Sequence, residues 1–124
     1  MVGENVLAKL RERNPRYTEA AYLFVLTALQ YVIDSLDEPR HISGQELARG
    51  CRDLALERYG PMARTVLEHW GIHSTDDMGA IVYALIDCRV LTKQDSDSPD
   101  DFLDVFDFEE AFERNYPWGR VRRS

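Results

Sequence analysis

A chain of 124 residues has room for one domain with a single hydrophobic core. Hydrophobic residues make up 44%, which argues against global disorder. The 22 acids and 15 bases leave a net charge of −7, which argues against a free-standing, nonspecific nucleic-acid binder. Nothing approaches the roughly 18 consecutive apolar residues of a membrane span. Met1 to Leu10 carries Glu4, Asn5 and Lys9 and lacks the apolar core and cleavage site of a secretory signal. The expected compartment is the cytoplasm, with Cys51 and Cys88 as free thiols.

Val6, Leu7 and Leu10 mark a short peripheral helix that Asn14-Pro15 stops, because the residue before proline is driven out of the helical region. Thr18 is the expected N-cap of the next helix, with Glu19 in its first turn. Apolar residues from Ala20 to Leu36 lie almost all round this second helix, which predicts a central element covered on several sides. Ser43 and Glu46 form a capping box at the start of a third helix, with Ile42 and Leu47 at the positions of a hydrophobic staple. Gly50 sits in the buried stripe of this helix with Leu47, Cys51, Leu54 and Ala55, a position that invites close approach of another helix. Gly60-Pro61 reads as stop and restart. A fourth, short helix shows an apolar face of Met62, Ala63, Val66, Leu67 and Trp70, and Gly71 closes it. Ser74 and Asp77 repeat the capping-box spacing ahead of Met78, Ile81, Val82, Leu85 and Ile86, a fifth helix running to about Asp87.

Beyond Asp87 the pattern changes. Arg89 to Lys93 reads as a strand, Asp95 to Asp101 as a polar loop, and Phe102 to Phe106 as the returning strand. Asp107 and Glu110 have capping spacing for a last short helix bearing Phe108, Ala111 and Phe112. The expected fold is therefore mainly α (α+β): five or six helices with one C-terminal β-hairpin, possessing the element order of a winged helix. Residues 1–118 form the single globular domain, and 119–124, with Arg120, Arg122 and Arg123, a basic tail.

Three stretches resemble a family of short uncharacterised bacterial proteins known mainly from planctomycete and verrucomicrobial genomes. They are Glu19 to Leu26; His41 to Leu47, continued by Tyr59 to Arg64; and Ser74 to Val82, with Asp101-Phe102 and Asp107-Phe108 beyond. The resemblance covers nearly all of the chain except its extreme termini, and it carries over no catalytic or binding residue.

Charge is unevenly spread. Asp95 to Glu113 holds nine acids and no Lys or Arg, whereas residues 1–94 carry a net of −2 and the last eleven residues four Arg. This segment reads in three ways: an acidic patch for a basic partner, a solvated loop, or a surface onto which the Arg tail folds back. The fifth helix has no basic residue between Ser74 and Cys88, so no direct DNA binding is expected. Asp95, Asp97 and Asp101 resemble the start of a calcium loop, but Pro99, Asp100 and Phe106 occupy the fifth, sixth and twelfth positions, where an oxygen ligand, a glycine and a glutamate belong. His69 and His73 are separated by the helix-ending Gly71, and Cys51 and Cys88 are isolated, so no metal site is expected. There is no phosphate loop, nucleophile elbow or Cys–His signature, and neither a catalytic residue nor a cofactor is assigned. The expected function is a non-enzymatic, cytoplasmic protein–protein interaction module. Its candidate surface residues are Tyr83, Asp95, Asp97, Asp100 and Asp101, on the acidic hairpin and on the helix face of Ala80, Tyr83 and Ala84. The alternatives are a winged-helix-like regulator reaching nucleic acid through a partner, and a small enzyme with an unrecognised site.

Overall fold

The structure, a computed structural model, describes residues 8–114 except 11, 13, 14 and 96. The basic tail, Val6, Leu7, Tyr116 and Trp118 lie outside the described residues. Residues 8–10 are helical, and Leu10 is fully buried, its carbonyl accepting from the Tyr22 hydroxyl at 3.4 Å. Thr18 accepts from the Ala21 amide at 3.3 Å and opens α1 (Glu19–Asp34). Tyr22, Phe24, Val25 and Ala28 of α1 face the core, but the helix is not covered all round: Leu23 and Ile33 are 45% and 40% exposed. Its neighbours α2 (Gly44–Tyr59) and α4 (Thr75–Asp87) take up its other flanks.

The capping box that starts α2 is closed on both sides. Glu46 N–H donates to Ser43 Oγ at 3.2 Å, and Ser43 N–H donates to Glu46 Oε1 at 3.0 Å. Gly50 faces Val32 and the Ala28 carbonyl of α1, and a Cβ there would collide with Val32, so the glycine sets the close crossing of the two helices. After Gly60, at φ 50°, a 3₁₀ turn (Gly60–Met62) with Pro61 leads into α3 (Ala63–His69). Phe24, Tyr59 and Trp70 join α1, α2 and the end of α3 by ring contacts of 5.6 to 6.3 Å.

The start of α4 departs from the expected capping box. Ser74 makes no side-chain cap. Asp77 instead accepts the His73 amide through Oδ2 at 2.8 Å, while its Oδ1 accepts from the Tyr17 hydroxyl and from Arg16 Nη2, both at 2.6 Å. Arg16 also donates to the Tyr17 hydroxyl. Asp77 thereby ties the segment before α1 to the start of α4.

The C-terminal β-hairpin is overturned, and the winged-helix reading falls with it: among the described residues there is no strand. The reason lies in where the backbone donors go. The amide of Cys88 bonds Ala84 O at 3.1 Å, that of Arg89 bonds Ile86 O at 2.9 Å, and those of Val90 and Leu91 bond Leu85 O at 2.9 and 3.3 Å. All four are spent on the end of α4, with Arg89 at φ 62°, and none is left for a ladder. On the return side, Thr75, only 1% exposed, donates through Oγ1 to Phe102 O at 2.7 Å and accepts from Val105 N–H at 3.2 Å. Phe102 closes a 3₁₀ turn (Pro99–Phe102), and Asp104 is at φ 47°. The Phe102 ring fills the place left by two missing side chains: a Cβ on Gly44 would lie 2.9 Å from its Cε2, and one on Gly79 2.8 Å from its Cβ. The segment after α4 is thus a plug seated between α2 and α4.

Asp107 caps the closing turn as expected, accepting from Glu110 N–H at 3.0 Å ahead of Glu110–Arg114. Phe102, Phe108 and Phe112 are buried, and Phe106, Phe108 and Phe112 form one ring cluster. The C-terminal aromatics among the described residues therefore close the core.

Candidate functional site

A cleft of about 140 Å³ opens between the C-terminal half of α1, the start of α2, α4 and the segment that follows α4. Its apolar wall is built by Leu29 and Ile33 of α1, Ile42, Val82 and Ile86 of α4, and Leu91. These elements meet here because Phe102, seated on Gly44 and Gly79, brings the chain after α4 back across the start of α2. Arg40, His41, Tyr83, Thr92, Asp97 and Asp101 form the polar rim.

The rim charges are largely paired. Arg40 grips Glu46 through both terminal guanidinium nitrogens, Nη1 to Oε1 at 2.9 Å and Nη2 to Oε2 at 2.6 Å. That contact and the Ser43 amide hold the Glu46 carboxyl down at about 2. His41 Nε2 lies 2.8 Å from Asp97 Oδ1, and Asp97 Oδ2 accepts the Gln94 amide at 2.9 Å. Burial pushes the Asp97 carboxyl up, but the Gln94 amide, His41 and Lys93 together hold it below its ordinary value. Asp101 Oδ2 accepts the Ser98 amide at 3.2 Å, and no cation pairs with this carboxylate among the described residues. The half-buried Tyr83 hydroxyl is raised by burial and further by Asp97 and Asp101.

Of the five candidate surface residues, the structure brings Tyr83, Asp97 and Asp101 together at this cleft. Asp95 and Asp100 are exposed and lie outside its lining. On the helix face of Ala80, Tyr83 and Ala84, Ala84 is buried, Ala80 and Tyr83 are half-buried, and Tyr83 lines the cleft. Asp97 is no free acid for a partner, because a histidine and an amide already hold it. Sequence reasoning missed His41, Arg40 and the apolar wall. His41 and Asp97 are 56 residues apart, and no local pattern links them.

Ser43 also lines the cleft, and its Oγ accepts the Glu46 amide. The Cys51 thiol is fully buried and pushed up to about 12 by that burial, which leaves it protonated and inert. Among the described residues, no group of three His, Cys, Asp or Glu could hold a metal ion, and no helix is long and apolar enough to cross a membrane. No protein-family model, curated protein or solved structure matches this chain.

Proposed function

We propose that this chain is a non-enzymatic protein–protein interaction module of the cytoplasm, and that its contact surface is the cleft between α1, α2 and α4. One observation carries the reading: apolar side chains from three elements stand side by side around an open hollow, under a rim where Asp101 has no cation partner among the described residues. Surfaces of this make-up gain from burying a partner's apolar anchor, while the acidic rim orients it. The partner is a protein segment with an apolar residue and a basic residue close together. The unpaired thiols of Cys51 and Cys88 fit a reducing compartment.

Selection of a displayed peptide library on the full-length chain tests the proposal. Peptides combining an apolar and a basic residue are expected to be enriched, and Ile33→Glu, on an already exposed wall position, is expected to abolish their binding without loss of folding. Enrichment that survives Ile33→Glu, or no enrichment at all, overturns it.

A further inference from the structure

We infer that the cleft seats an arginine side chain of the partner, its guanidinium held by Asp101 and laid against Tyr83, with its alkyl stem along Val82, Ile86 and Leu91. The inference rests on the interaction reading above and names what that site selects.

Charge balance around the cleft leads to this occupant. Arg40 is matched by Glu46, and Asp97 is held by His41 and the Gln94 amide, which leaves Asp101 as the rim carboxylate with no Lys, Arg or His partner among the described residues. Lys93 directs its ammonium to the Gln94 carbonyl at 3.4 Å. Any occupant that fills the cleft takes water from Asp101. A purely apolar side chain would leave that carboxylate desolvated and uncompensated, and an anion would add repulsion. A cation on an apolar stem removes the penalty and also uses the wall. The Tyr83 hydroxyl has no hydrogen-bond partner among the described residues, and its ring lines the same cleft as Asp101. A carboxylate and an aromatic residue lining one cleft suit the planar, weakly hydrated guanidinium better than the compact ammonium of lysine.

The test titrates the full-length, ¹⁵N-labelled chain with N-acetyl-arginine amide, N-acetyl-lysine amide and the neutral N-acetyl-norleucine amide, read by amide shifts. The arginine probe is expected to move the resonances of Tyr83, Thr92 and Asp101 and to bind about tenfold more tightly than norleucine amide, the size of one charge-assisted hydrogen bond. Asp101→Asn keeps an oxygen for the Ser98 amide and is expected to erase that preference, whereas Asp100→Asn, which removes the same charge outside the cleft, keeps it. Equal binding of arginine and norleucine amides, tighter binding of lysine amide, equal effects of the two variants, or shifts elsewhere each overturn the inference. Norleucine amide seated in the cleft with no preference for arginine sinks this inference alone. Arginine amide held at Asp101 while no displayed peptide is selected sinks the interaction reading instead.

Discussion

Helices α3 and α4 end in the same hydrogen-bond pattern on different residues. After α3, the amide of Gly71 bonds Glu68 O at 3.0 Å and that of Ile72 bonds Leu67 O at 2.9 Å, with Gly71 at φ 96°. After α4, the amide of Arg89 bonds Ile86 O and that of Val90 bonds Leu85 O, both at 2.9 Å, with Arg89 at φ 62°. Both are Schellman closures, each with an apolar residue in the position after the left-handed one. Their surroundings differ. A Cβ on Gly71 would run into the Arg16 carbonyl, so glycine is required there by sterics as well as by φ. Arg89 is exposed, and its left-handed backbone costs on the order of 1 kcal/mol without any clash. The closure is therefore set by the donors and acceptors of the helix end, and glycine is its cheapest occupant rather than its cause.

The comparison is tested most severely at Phe102, which holds the chain that leaves the Arg89 end. Phe102→Ala empties the space between Gly44 and Gly79 and is expected to destabilise by about 3–5 kcal/mol, read as a lower urea midpoint. A loss typical of an exposed loop would break the account of this segment as a plug. Gly71→Ala follows, with an expected loss of about 2–3 kcal/mol from combined strain and collision. A near-neutral result would show that the two closures do not differ as described. Arg89→Gly sharpens the contrast in the opposite direction. Relief of left-handed strain is expected to raise stability by up to about 1 kcal/mol, read as a higher urea midpoint, and a loss of stability there would deny the strain.

The smallest effect belongs to a helix start. Glu46 titrates at about 2 in the folded chain, below its ordinary 4.5. Its contribution is therefore complete above about pH 4.5 and is lost as pH falls through 2. Both partners are partly exposed, so the effect is small and screened by salt. Glu46→Gln is expected to flatten the stability profile between pH 4.5 and 2 in low salt, and an unchanged profile would remove the Arg40–Glu46 contact from the balance.

Legibility followed the range of the interactions. The Ser43–Glu46 box, the Gly60-Pro61 restart and the Gly71 stop were readable because each uses residues within one or two helical turns. Arg89-Val90-Leu91-Thr92-Lys93 has the composition of a strand, and no glycine flags a closure there, so sequence pattern alone led to a hairpin. Ser74 and Asp77 have the spacing of a box, but Tyr17 and Arg16, some 60 residues earlier in the chain, compete for Asp77. The acidic segment was visible as composition, yet which acids stay free was not. Asp97 is held by His41, whereas Asp101 has no cation partner among the described residues.

By itself the sequence determined four helices, most of their ends and the apolar faces that form the core, because periodicity and capping act through neighbours along the chain. Only the tertiary structure decided that the C-terminal segment becomes a plug, that Thr75 takes up its backbone groups, and that an apolar cleft rimmed by Asp97 and Asp101 is left at its edge. Those outcomes depend on contacts such as Phe102 against Gly44 and Gly79 and His41 against Asp97. Their free energy exists only once residues distant in the chain have been brought within van der Waals or hydrogen-bonding reach.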